Sequence, residues 1–425
     1  MSPLIFQPLS ILALLVFLIA YGLVMLEEVI ELKKSKPVVL ASGLIWLLVG
    51  VVAAQRGASA AASAAAGESI KDYGELLLFL LVSITYVNVL EERRVFDALR
   101  GRLVGYGLSF RALYWILGLG TFALSVVLAN MTTAMVMGAV ALGLGRGNAK
   151  FVTLACINIV VASNAGGAFC PFGDVTSLMI WQAGRLSFLA FFQLFIPALL
   201  AWLVPALLMS FAVPPDGPQA RAEHVRAKPG SALVIALFAI TILLSVLMNM
   251  ALGLPPVAGM VLGLGLLQAL AYFSQRKAKA DDMVLDSFSA MQRVEWDTLL
   301  FFFGIMFSIS GLSHLGWLAL ANQGLYVGLS PTLANILVGP LSAVLDNVPL
   351  VYAVLQMNPT MGGSQWLLLA LTAGVGGSML SIGSAAGIAL MGRAGRDYTF
   401  VKHMRWLPSI ALGYGAAVAA HLLLN

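Results

Sequence analysis

Charge is scarce in this sequence. Of 425 residues only 10% are Asp, Glu, Lys or Arg, against about 25% in an ordinary soluble domain, and 60% are apolar. A water-soluble globule is excluded. Cysteine is nearly absent too: Cys156 and Cys170 both sit in apolar runs, form neither a disulfide framework nor a metal cluster, and read as small core residues. Nothing alternates apolar with polar in segments of about 10 residues, which excludes a transmembrane barrel. The first residues, Met1 to Tyr21, lack a basic leader and an Ala-x-Ala cleavage signal, so they read as a retained helix. The net charge of +5 comes from basic residues in short loops, not along one face, so no nucleic-acid partner is expected. The Gly-rich runs do not follow strands, and the loops hold no Ser-His-Asp set or catalytic carboxylate pair. Neither a phosphate loop, an enzyme nor a cofactor is expected.

What the sequence does have is apolar stretches of about 20 residues, the length that crosses about 30 Å of hydrocarbon. The windows predict ten crossings, at 4–25, 38–55, 74–90, 151–182, 186–211, 232–250, 255–273, 297–320, 364–392 and 405–424. Two more apolar stretches, about 112–145 and 332–357, are split by Asn130-Met131-Thr132-Thr133 and by Asp346-Asn347-Val348-Pro349. Each half is too short to cross comfortably, so both read as re-entrant hairpins with polar tips. With hairpins returning to the side they left, 21 of the 24 Lys and Arg fall on one face and only Arg56, Lys71 and Arg185 on the other. The rich face is expected to be cytoplasmic and both termini to point outward.

The chain also repeats itself. Leu124–Asn130 matches Leu341–Asn347, Gly166-Gly167 with Gly173 matches Gly376-Gly377 with Gly383, and Glu75–Phe79 resembles Asp297–Phe301, in the same order and nearly the same register. The predicted fold is an all-α polytopic membrane protein of two repeats, 1–213 and 232–425, joined by a solvated cytoplasmic linker at 214–231. Each repeat holds five crossings, one of them broken, and one hairpin. Five is odd, so the second copy must be inverted in the membrane.

Polar groups at membrane depth cost several kcal/mol when unpaired, which makes them functional candidates by default. The richest run is Ser163–Ser177, where Gly166, Gly167, Pro171 and Gly173 break the helix and Asn164, Asp174, Thr176 and Ser177 supply oxygen. Gly374, Gly376, Gly377 and Gly383 break the second copy, with Ser378, Ser381 and Ser384 as oxygen sources. At the hairpin tips, Asn130, Thr132 and Thr133 are expected to face Ser342, Asp346 and Asn347. Oxygens of this kind replace the hydration shell of a hard monovalent cation. A carboxylate at that depth must be protonated, paired or holding a cation, so Asp174 and Asp346 are the expected seats of proton and cation exchange. Glu75 and Asp297 stand at the predicted starts of the third and eighth crossings, either as helix N-terminal acids or at the mouth of the site. His314 and His403 are read as structural.

The runs Asn164–Met179, Leu345–Pro349 and Gly376–Gly387 resemble the NhaD-type sodium/proton antiporters, within a wider ion-transporter superfamily that includes dicarboxylate and arsenite carriers. The resemblance covers nearly the whole chain. It implies exchange of Na+ or Li+ for H+ by an elevator-like movement of hairpins and broken helices against a scaffold, in a homodimer in the inner membrane of a bacterium. A sodium-coupled carrier of a small anion, such as a dicarboxylate or arsenite, is the alternative. By motif position it places functional polar residues at Glu75, Asn130, Asn164, Asp174, Thr176, Ser177, Asp297, Thr298, Ser342, Asp346, Asn347, Ser381 and Ser384, with Na+ expected at Asp174, Thr176, Asn130 and Asn347. One position departs from the family pattern: Ala129 stands where an acid commonly precedes the tip asparagine.

Overall fold

The computed structural model describes residues 4–105, 107–218, 226–277 and 285–425. Arg221, Lys279 and residues 219–225 of the linker lie outside them. Helix is the dominant element and no strand occurs among the described residues, as a chain without water for its backbone groups requires. Nine helices among those residues are long and apolar enough to cross a membrane. The expected crossing at 364–392 is not among them because it is two short helices, Gly363–Gly376 and Ala385–Ala394. The chain is a multi-pass membrane protein.

Two compact units are interleaved along the chain. The first comprises residues 1–78, 295–334 and 348–361. In it, Ser35–Gln55 packs against Pro8–Met25 and Trp296–His314. Glycines bring the last pair close: a Cβ on Gly304 would stand 2.7 Å from the Val38 backbone, and one on Gly311 2.7 Å from Ile45. Small residues are what membrane helices use in place of a hydrophobic driving force. Trp46 Nε1 donates to the Phe307 carbonyl at 2.8 Å across this contact.

One expectation is corrected in this unit. Glu75 does not begin a helix; it lies well inside Ser59–Glu92, a helix of 34 residues and roughly 51 Å. Its first stretch, Ser59–Gly67, is mostly alanine, a strong helix former but a weak hydrophobe, so a hydropathy window passes over it.

The second unit comprises residues 79–294, 335–347 and 362–425. Its centre is Ala149–Ala168, 94% buried over its apolar window against 17% for Pro8–Met25. Around it pack Phe110–Leu124, Asn130–Leu144, Phe195–Ser210 and Gly363–Gly376. Both cysteines are free and buried here. The described ends of the linker are fastened rather than merely solvated: Lys228 N–H donates to the Arg93 carbonyl, Arg93 Nη1 to the Pro229 carbonyl and Phe110 N–H to the Asp216 carbonyl.

Candidate functional site

The first broken helix stops at Ala168 and restarts at Val175. Glycine fits there because the backbone at the end of Phe110–Leu124 lies against the break. A Cβ on Gly166 would lie 2.2 Å from the Phe122 carbonyl oxygen, and one on Gly173 2.0 Å from that of Ser125. The same crowding recurs at the second break, where a Cβ on Gly376 would lie 2.4 Å from the Gly339 carbonyl oxygen and one on Gly383 2.6 Å from that of Ala343. The hydroxyls that tie each arm to its broken helix also correspond. Ser125 Oγ donates to the Ser163 carbonyl at 2.6 Å, and Ser342 Oγ to the Ala373 carbonyl at 2.7 Å.

Each restart is capped by an oxygen-bearing side chain. Asp174 Oδ1 accepts the Thr176 N–H at 3.2 Å, and Ser384 Oγ accepts that of Gly387 at 3.3 Å. These caps leave polar atoms facing the gap. Asp174, 2% exposed, receives the Asn347 amide at 3.4 Å to each oxygen. Gly374 lies against this carboxylate, with room for no side chain: a Cβ there would be 2.9 Å from Asp174 Oδ2. The Thr176 hydroxyl is buried and has no hydrogen-bond partner among the described residues.

A second chain of amides runs beside it. Asn130 Nδ2 donates to Asn164 Oδ1 at 3.1 Å, and Asn164 Nδ2 donates to Ser384 Oγ at 3.0 Å. Asn130 N–H donates to the Gly173 carbonyl at 2.9 Å, next to Asp174. The structure therefore brings together Asp174, Thr176 and Asn347 on one side, and Asn130, Asn164 and Ser384 on the other. Asp346, partly exposed just before the helix Asn347–Met357, is near enough for its charge to act on Asp174.

Other expected residues are occupied differently. The hydroxyls of Ser177, Ser378, Thr133 and Ser342 donate to backbone carbonyls, which satisfies groups freed by the breaks and turns. Ser381 Oγ lies 3.6 Å from Met391 Sδ, and Thr132 is half-buried in the first turn of Asn130–Leu144. Glu75, Asp297 and Thr298 belong to the first unit, where Ser35 Oγ donates to Asp297 Oδ1 at 2.5 Å and Thr298 Oγ1 to Glu295 Oε2 at 3.3 Å.

A residue read as merely structural in a loop holds the second break. His403, fully buried on the short helix Phe400–Met404, contacts the Ser378 carbonyl through Nε2 at 2.9 Å and the Tyr398 hydroxyl through Nδ1 at 2.7 Å. A carbonyl only accepts, so Nε2 carries the proton and a neutral ring accepts from Tyr398. Burial pushes the imidazole down to about 4, whereas an unfolded chain titrates near 6.5. Between these values the unfolded chain binds the extra proton, so the clamp's contribution is complete above about pH 6.5 and fades as pH falls toward 4. Detergent-solubilised protein is expected to lose melting temperature from pH 7 to 5 more steeply than His403→Gln, whose amide can donate and accept at the same places. Equal slopes would show that the ring is not held neutral.

Known proteins resemble this chain along nearly its whole length. The citrate-transporter family (CitMHS) matches residues 5–376. The Na(+)/H(+) antiporter NhaD of Vibrio cholerae is 49% identical over 97% of this chain and 91% of its own length, and that of Halomonas elongata 49% over 97% and 88%. The chain belongs to the NhaD family of antiporters. More distantly, sodium/proton antiporter 1 of Arabidopsis thaliana is 32% identical over 97% of this chain and 72% of its own. Ala129 occupies the N-cap of Asn130–Leu144, and that helix has no side-chain cap.

Proposed function

We propose that this protein exchanges Na+ for H+ across a bacterial inner membrane, with Asp174 as the group for which the two ions compete. One observation carries the reading. Asp174 is a buried carboxylate whose hydrogen-bond partners are neutral donors, and no Lys or Arg pairs with it among the described residues. A charge so placed must be balanced by something that comes and goes. A proton balances it in one state. In the other, Na+ sits against the carboxylate, with Thr176, Asn347 and Asn130 as its proposed further oxygen donors. Li+, a harder cation of the same charge, suits the same oxygens.

The repeated contacts at the two breaks support an inverted-repeat fold in which hairpins and broken helices move as one body against the rest of the chain. The excess of Lys and Arg on one face supports a cytoplasmic placement of that face with both termini outside. The family resemblance supports a homodimer. The match to the citrate-transporter family favours one second reading, sodium-coupled uptake of a small carboxylate, in which the N-termini of the half-helices hold the anion. Asp174 and Asp346 would repel such a substrate. Proteoliposomes loaded with a pH dye separate the two readings. Na+ or Li+ pulses are expected to drive proton movement, while K+ and citrate do not. A response requiring citrate would overturn the exchange reading.

Stoichiometry follows from the two acids. If Asp174 and Asp346 titrate as a pair, two protons leave for each Na+ that enters the site and exchange is electrogenic. The reversal potential of Na+-driven proton flux is therefore expected to shift with imposed voltage. Ala129→Asp adds a third acid to the site, and like charges in one cavity hold protons more tightly, so its pH profile is expected to move to the alkaline side. Voltage-independent exchange by the unaltered protein would overturn the pairing.

A further inference from the structure

We propose that Gly374 sets the size of the cation the site accepts, by leaving out a side chain where its counterpart in the other repeat has one. The inference rests on the exchange reading and deepens it. The register that matches Gly166, Gly167 and Gly173 with Gly376, Gly377 and Gly383 also pairs Asn164 with Gly374 and Asp174 with Ser384. The first half of each broken helix thus meets the residue that caps the other's second half, once in each direction. At one crossing Asn164 Nδ2 donates to Ser384 Oγ at 3.0 Å, and two neutral groups satisfy each other. At the other, position 374 offers no amide and the group facing it is the Asp174 carboxylate. The chain closes the first crossing with its own side chain and leaves the second, charged one for an ion.

The space at the second crossing is finely set. A Cβ on Gly374 would stand 2.9 Å from Asp174 Oδ2 and 3.2 Å from Ala168 Cβ. Ala168 ends its helix and its Cβ moves only with the backbone, whereas the carboxylate turns about its own bonds. A methyl group at 374 therefore displaces the carboxylate by a few tenths of an ångström. The carboxylate is already held by the Thr176 N–H and the Asn347 amide, so the displacement narrows the seat of an ion bound against it. Na+ and Li+ differ in radius by a similar amount. Gly374 also spares an oxygen. The N–H groups of Gly377 and Ser378, which would close a turn on its carbonyl, both go to the Val375 carbonyl instead. The C-terminal end of a helix, where this carbonyl lies, favours a cation. Cavity size and ligand number are what separate two hard cations of one charge.

The test uses the full-length protein in proteoliposomes loaded with a pH dye and pulsed with graded Na+ or Li+, reading the ratio of the apparent KM values for the two ions. One extra carbon in a fitted site discriminates by about tenfold, so Gly374→Ala is expected to weaken Na+ about tenfold more than Li+. Damage to the fold or to the carboxylate would instead weaken both ions alike. Ala168→Gly removes the other methyl group at this gap and is expected to move the ratio the opposite way, which keeps the proposal open to test should Gly374→Ala not fold. An unchanged ratio in Gly374→Ala, a parallel loss for both ions included, overturns the assignment of size selection to Gly374 and leaves the exchange reading standing. Where only Ala168→Gly folds, an unchanged ratio in that variant does the same. No response to either ion by the unaltered protein overturns the exchange reading itself.

Discussion

Asp174→Asn is expected to abolish Na+-driven proton movement while leaving the protein folded. The separation of the two effects comes from what the carboxylate does structurally. It caps the restarted helix by accepting the Thr176 N–H, and Asn caps about as well as Asp. It accepts the Asn347 amide, and an asparagine oxygen in the same place accepts it too. Only the charge and the exchangeable proton are lost. In dye-loaded proteoliposomes the response to a Na+ pulse is expected to fall at least about a hundredfold, the consequence of losing a charge-assisted partner worth roughly 3 kcal/mol in a buried site. The melting temperature is expected to stay near that of the unaltered protein. Near-normal exchange by this variant would remove Asp174 from the mechanism.

Gly173→Ala is expected to have the opposite profile, with folding lost first. The Gly173 backbone is not in the left-handed region, so alanine could adopt it. The obstacle is space. Its Cβ would stand 2.0 Å from the Ser125 carbonyl oxygen and 2.7 Å from Gly167 Cα, two backbone groups that cannot swing aside as a long side chain does. Relief requires moving the hairpin arm off the break, which also strains the bond from Asn130 N–H to the Gly173 carbonyl. Overpacking of a tight core costs about 1–3 kcal/mol, and a clash between backbones belongs at or above the top of that range. Yield and melting temperature in detergent should both collapse. Gly22→Ala, at a position with open space, is the control and should change neither. Indistinguishable melting of the two variants would show that hairpin and break are not packed this closely.

The crossings were legible because a bilayer leaves so few choices. Backbone groups must be satisfied within the segment, so a long apolar window is a helix, and Pro8–Met25 and Ser231–Leu252 fall where hydropathy puts them. The breaks were legible from glycine and proline inside such windows. Ser59–Gly67 was not, since its alanines add helix propensity without hydropathy. Within the site, the sequence exposes the inventory and hides the pairing. Nothing local tells that Asn347 reaches Asp174, 173 residues away, or that Asn164 links Asn130 to Ser384. Nor does it tell which hydroxyls serve the backbone. Ser177 donates to the Ala168 carbonyl while Thr176, its neighbour, has its hydroxyl unpartnered among the described residues. The His403 clamp gave one faint signal, a histidine in a short helix beside a tyrosine, and its acceptor lies 25 residues upstream.

The burial of Ala149–Ala168 also bears on how the protein is made. A segment leaving the ribosome is judged by how well it dissolves in lipid on its own, and this one carries Asn158, Ser163 and Asn164 on a helix whose neighbours in the finished fold shield nearly all of it. The eight-residue Val175–Gln182 is too short to span the bilayer alone. Ala149–Ala168 is long and apolar enough to cross by itself, and its polar groups are covered only in the finished fold. The short half-helix is therefore expected to take its place only once Ala149–Ala168 and Gly363–Gly376, which pack against it, are both in the membrane.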